Sequence, residues 1–433
     1  MRSLRIALLS SLMVAVAAVG AFGGGSGERE GDEQTVVLNA SDNLPDRTKG
    51  WGAVVEEINA EFRKAHPEVR FETESLPDQP YQEKIKVYAT AGELPDIMKY
   101  WSFSTLLHPL VDAGHVEPLN MEDFQQYNWL PGALESNVYK GELYGIPVSA
   151  DLWVIYYNQR LFEEVGVDVP TTISELESVS ATLKDAGYIP LVTDGQDRWP
   201  LSITYDAIVQ RISGDFTLVQ RAIDREMKFT DPVFVEAAAA FQNLVRTDVF
   251  PDNVITTGYG PARNLFGQER AAMFLMGSWE LGLASDPDLP ESFRDNVRAM
   301  RFPVIEGGPA DIDDLVAWYG GNYIVNASSE HVDLGIEYLH TYARLYPKLV
   351  WESQAGFPAQ RVEPSERDSQ LARDLLEIAA TAVSTSGTTG LDLSTAAFKE
   401  DHQRLVQDLV AGVITPERFA ADLDAAAERA ANR

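Results

Sequence analysis

Apolar and polar positions along the chain alternate between two periods, and the alternation sets the elements. Residues 35–40, TVVLNA, form a β-rich run. Trp51, Val54, Val55, Ile58 and Phe62 then recur at helical spacing, with Asp46 and Thr48 as candidate caps and Pro67 beyond the end. VRFETES predicts a second strand, residues 81–91 a second helix, and PDIMKYW a third strand set off by Gly92 and Pro95. Strand and helix taking turns predict parallel strands joined by right-handed crossovers. Residues 106–120 read as a helix stopped by glycine and a loop carrying Val116 and Leu119. Thr172 or Ser174 caps a helix bearing Leu176, Val179 and Leu183; a short strand covers 188–192, and TDGQDRWP is a turn-rich loop. Residues 202–249 are helical with breaks at Gly214 and Asp231-Pro232, and 332–346 form a further helix. The last helix begins at Thr415-Pro416-Glu417, a cap followed by proline at the first helical position.

The run at 271–276 breaks this rhythm. It is too short and too continuously apolar for a surface helix, so it predicts a strand buried on both faces. A glycine and a serine follow and deliver Trp279 and Glu280 just past the strand end. In open α/β sheets that edge opens onto the crevice where ligands bind. Residues 297–304 predict another strand.

At 433 residues the chain exceeds what one core usually covers, and two lobes are expected. Its 66 acidic against 35 basic residues give a net charge of −31, which repels phosphate backbones and argues against a nucleic-acid partner. The absence of cysteine removes disulfides, thiol nucleophiles and cysteine metal sites together. Arg2 and Arg5 precede an apolar run at 6–19, and Val19-Gly20-Ala21 fits a signal peptidase, so residues 1–21 are expected to be a signal peptide. The run is shorter than the roughly 20 residues that span a bilayer. Glycine, serine and charge without periodicity mark 22–34 as a flexible leader.

Several stretches together resemble the extracellular solute-binding proteins (family 1 type) of ATP-binding-cassette carbohydrate importers. They are NAEFRKAHPEV, LLHPLVDAGHVEPLN, YKGELYGIPVSADLWVIYYNQRLFEEVGV, LFGQERAAMFLMGSWEL and LVAWYGGNYIVNASS, in an order that spans about residues 36–430. The resemblance implies an α/β, two-lobed periplasmic-binding-protein fold (type II-like). Each lobe would be a mostly parallel sheet flanked by helices, with the ligand cleft between them. It places the first crossing near Ser149 and the second at 303–308, so that 35–149 with 304–345 make the first lobe and 150–303 with 346–433 the second. Relatives often carry a lipid-anchoring cysteine where this chain has Phe22 and Gly23, so a freely diffusing periplasmic protein is expected. The implied partners are a carbohydrate ligand and a membrane permease, with the protein a monomer.

Sugars present flat apolar faces and rings of hydroxyls, so their sites need aromatic planes and short polar groups. Tyr100, Trp101, Trp153, Trp199, Trp279 and Trp318 fall after expected strands or in loops and are candidates for stacking, whereas Trp51, inside a helical stripe, reads as core. Asp151, Asp194 and Glu280 are candidate acceptors for sugar hydroxyls. Gly320 and Gly321 let backbone approach a ligand, with Asn322 beside them as an amide contact. No cofactor or metal is expected: phosphate-binding and hydrolase signatures are absent, and the six histidines lack ligand spacing. Two alternatives remain. One is a secreted carbohydrate-cleaving enzyme using a carboxylate pair, which composition does not mark. The other is a metal or polyamine carrier on the same fold, with Tyr156-Tyr157 as candidate ligands; their strand-like setting, WVIYYN, reads as core instead.

Overall fold

The structure, a computed structural model, describes residues 35–432; the expected signal peptide and leader lie outside the described residues. Strands β1 Val36–Asp42, β2 Val69–Ser75 and β3 Ile97–Tyr100 alternate with the helices Gly50–Ala65 and Asp78–Ala91. The first helix buries Val54, Val55, Ile58 and Phe62, as their spacing predicts. Its start carries no side-chain cap, because Asp46 is occupied by the amide and hydroxyl of Thr48 in the preceding turn.

A small hairpin, β4 Val138–Tyr139 and β5 Glu142–Leu143, precedes the long strand β6 Ile146–Asn158, whose thirteen residues are all buried. The second half adds β7 Ile189–Val192, β8 Ala271–Gly277, β9 Val297–Arg301, β10 Asp314–Val325 and a short β11 Ser384–Gly387. Every residue of β8 is buried, which accounts for its unbroken apolar sequence. The main sheet runs β2-β1-β3-β10-β6-β8-β7, with β9 on β6 and β11 on β10. Among the named strands, parallel pairing is confined to β1 with β2 and β3, β7 with β8, and β10 with β11. Strands β6 and β10 pair antiparallel with each other and with β8, β9 and β3, because they carry the chain from one lobe to the other and back.

The cores show the two lobes. One set of apolar clusters joins Ile58, Phe62, Ile146, Tyr338 and Tyr342 and, beside them, Tyr81, Ile85, Met98 and Leu107. The larger cluster gathers Trp153 to Tyr157, Ala271 to Met276 of β8, and apolar residues of the helices Trp199–Ser213, Pro232–Arg246 and Ala396–Val410. Along β6 the membership changes between Val148 and Ala150. Along β10, Leu315 to Trp318 pack in the larger cluster, and Tyr323 is the first residue of the strand to join the other. The helix expected to end at Tyr346 runs on through Pro347 as Val332–Glu352, and it buries Val350 and Trp351 in different clusters. Tyr156 and Tyr157 are core residues, the Tyr156 hydroxyl donating to the Gly277 carbonyl. Among the described residues no helix is long and apolar enough to cross a membrane.

Candidate functional site

Between the two sets of cores lies a cleft of about 580 Å³, within the range of small-molecule sites. Trp279 reaches it because β8 ends at Gly277 and the chain turns at once into the short helical segment Ser278–Ala284. A Cβ on Gly277 would overlap the indole, so glycine is what allows the ring to fold back over the strand end. Trp199 opens the helix Trp199–Ser213 and is held by that helix start, not by a loop. With Trp318 from β10 these make one aromatic wall: the rings of Trp199 and Trp279 are centred 5.8 Å apart, and those of Trp279 and Trp318 6.1 Å apart.

The facing wall belongs to the first lobe. Trp101 and Trp51 flank the Lys99 ammonium, which lies 5.4 and 5.3 Å from their ring centres. Lys99 is 4% exposed and donates to Asn43 Oδ1 at 2.7 Å. Burial pulls its pKa down, against the pull of Asp78, Asp42 and Asp151 in the other direction. Asp78, which accepts from Asn43, is pushed up to about 6 by burial, opposed by Lys99 and Lys399.

Asp151 sits at the floor, opposite Trp318 in the β6–β10 register. It is nearly buried, and its Oδ1 has no hydrogen-bond partner. Burial pushes its carboxyl up to about 7, with the Ser149 hydroxyl and Lys99 working the other way. An orphaned, buried acceptor facing a cleft suits a ligand hydroxyl. Glu280 is engaged already, accepting from the Tyr259 hydroxyl and from Arg263 Nε at 2.8 Å. Asp392 is likewise taken up by Thr105, Thr389 and Lys399.

The cleft thus brings together Trp101, Asp151, Trp199, Trp279, Glu280, Trp318, Gly320 and Gly321 from the residues expected to form a site. Four others stand apart. Tyr100 is buried, packed against Tyr81 and Trp101. Trp153 is covered by Trp199 and Trp279, with ring centres 6.1 and 6.4 Å away. Asp194 is fully buried and accepts the Asp197 amide at 3.0 Å, its carboxyl pushed up by burial. Asn322 is fully buried and donates to Asn137 Oδ1 at 2.7 Å. Conversely Trp51, expected in the core, lines the cleft, as do Lys99, Tyr259 and Arg263, which nothing in the sequence marked. Among the described residues no group of three histidines or carboxylates could hold a metal ion.

Residues 42–344 match the family model described as bacterial extracellular solute-binding protein. The multiple sugar-binding protein of Streptococcus mutans serotype c is 24% identical over 250 residues, 55% of this chain and 57% of that protein. The chain spans about half the length of the curated relatives it matches. A protein solved in work on xylan utilization by the thermophilic bacterium Caldanaerobius polysaccharolyticus has a TM-score of 0.82 and 28% identity, covering 90% of this chain and 99% of that one. A chitin oligosaccharide binding protein also superposes with a TM-score of 0.82, at 22% identity over 92% of this chain and all of the other, and so bears on the fold alone.

Proposed function

The chain belongs to the bacterial extracellular solute-binding protein family, and on that premise we propose that it captures an oligosaccharide in the cleft and delivers it to the permease of an ATP-binding-cassette importer. The observation that carries this reading is the pair of facing indole walls, Trp51 and Trp101 on one lobe and Trp199, Trp279 and Trp318 on the other. Such walls offer flat apolar faces to more than one sugar ring, while Asp151, Lys99 and Asn43 offer polar partners for hydroxyls. The names of the relatives, multiple sugar-binding and chitin oligosaccharide binding, are consistent with it.

Capture would proceed by closure. A ligand stacked on both walls favours the state in which they approach, and that state is the one offered to the permease. The bending segments would be 149–151 of β6 and 319–321 of β10, where the cores change hands and Gly321 has a φ of +60°. The protein would act outside the cytoplasm as a soluble monomer with no chemical step. A carbohydrate-cleaving reading has less support, because the oxygens of Glu280 and Asp392 are already committed.

A thermal-shift screen across xylo-, chito- and malto-oligosaccharides, monosaccharides, polyamines and ferric citrate tests the proposal. An oligosaccharide at about 100 times its Kd should add about 2.7 kcal/mol to stability. A screen in which only a polyamine or ferric citrate raises the midpoint contradicts it, as does sustained release of new reducing ends.

A further inference from the structure

The cleft tryptophan Trp279 is joined to the opposite lobe by a continuous chain of polar contacts. Lys49, at the start of the helix Gly50–Ala65, donates from Nζ to Asp286 Oδ1 at 3.0 Å and to Asp288 Oδ2 at 2.5 Å. The other oxygen of Asp286 accepts from Arg263 Nη1 at 3.0 Å, and Arg263 Nε donates to Glu280 Oε2 at 2.8 Å. The remaining oxygen of Glu280 accepts from the Tyr259 hydroxyl, which in turn accepts from Trp279 Nε1 at 2.9 Å. Asp286 and Glu280 each use both oxygens, and their side chains are each only 6% exposed.

Tyr259 and Arg263 lie in the helix Tyr259–Gly267 and Glu280 in the segment Ser278–Ala284 of the second lobe, Asp286 lies in the turn that follows, and Lys49 alone of these residues comes from the first lobe. Lobe separation therefore breaks one link, between Lys49 and the two aspartates, and leaves the rest in place. We infer that Lys49 and Asp286 form an ionic latch between the lobes, and that Arg263, Glu280 and Tyr259 tie the latch to the orientation of the Trp279 indole. Stacking of a ligand on that ring and closure of the latch then favour the same arrangement. The consequence is unusual for a neutral ligand: its capture becomes sensitive to ionic strength, because salt screens the partly exposed lysine against its partners.

The inference rests on the sugar-capture reading only for its first probe, the tightest binder among xylotriose, chitotriose and maltotriose, all uncharged. Between about 0.02 M and about 0.5 M sodium chloride its Kd should rise roughly three- to tenfold in the wild type. Lys49→Met should bind about as weakly at low salt as the wild type at high salt, with no further salt dependence, and Lys49→Arg should restore the dependence. A salt-independent wild type, or a Lys49→Met that keeps the dependence, overturns the latch.

A second readout needs no sugar. The chain has no cysteine, so Val87→Cys and Val413→Cys, at exposed positions on different lobes, accept a fluorescent pair selectively. The dye separation in the unliganded protein should grow with salt in the wild type and stay constant in Lys49→Met. Separations indifferent to salt in both proteins overturn the latch. If none of the trisaccharides binds, sugar capture fails and the dye experiment alone decides on the latch.

Discussion

Gly320 and Asp151 lie so close that a Cβ on the glycine would stand 1.7 Å from Asp151 Oδ2. The glycine therefore makes room for a cleft carboxylate whose buried Oδ1 has no partner. Gly320→Ala must displace either that carboxylate or the β10 backbone. It should lower stability by about 1 to 3 kcal/mol, as overpacking does, and weaken sugar binding at least as much as Asp151→Asn. Denaturation midpoints and calorimetry on the two variants check this; an alanine that binds like wild type would show that Asp151 is not a ligand contact.

The Asp151 carboxyl also sets an expected pH response. Burial lifts it to about 7, against the pull of Ser149 and Lys99. The unfolded chain ionises this group in the ordinary carboxylate range, so from there up to about 7 the folded state holds more protons and stability falls as pH rises. Asp151→Asn should flatten that fall. Binding runs in the opposite direction, because the ionised carboxylate is the better acceptor for a sugar hydroxyl: affinity should rise as pH passes through about 7 in the wild type and stay level in the asparagine variant. Calorimetry on both sides of neutrality reads the difference.

Trp51 was legible as a helical residue but not as a cleft residue. It stands one turn ahead of Val54 and Val55, at the edge of the core where it is only partly buried, and its ring lies against Lys99 and Tyr346. Hydrophobic periodicity marks the face of a helix, not how far along that face the core extends. Trp51→Ala should accordingly cost affinity, on the order of 2 kcal/mol as for an interface aromatic, with a smaller loss of stability. Phe241→Ala, fully buried, is the core control and should lose about 3 to 5 kcal/mol of stability.

Other parts of the site divide along the same line. The strand end before Trp279 and the glycines of β10 could be read because a short apolar run and a close backbone approach leave a mark in the sequence. Tyr100 and Trp101 both read as candidates, and which of the two reaches the cleft depends on how β3 pairs with β1 and β10, which is set by distant residues. Lys99, Tyr259 and Arg263 carry no pattern at all; they matter only because folding brings them beside Trp51, Trp279 and Glu280. Strand β10 carries residues of both cores along a single strand, Leu315 to Trp318 in one and Tyr323 in the other, so no break between elements marks where the chain passes between them.

Bending at 149–151 and 319–321 predicts a change in shape. Small-angle scattering should give a smaller radius of gyration at saturating oligosaccharide than without it. Equal radii would mean a rigid cleft.

Stacking on Trp279 is the central claim, and one paired measurement tests it most directly. Trp279 is only partly buried, so replacing it by alanine should cost on the order of 2 to 4 kcal/mol of binding, roughly thirtyfold to a thousandfold in affinity. The unliganded denaturation midpoint should move much less than that of Phe241→Ala. A Trp279→Ala protein that unfolds early, yet binds its oligosaccharide with wild-type affinity wherever it remains folded, would contradict the account.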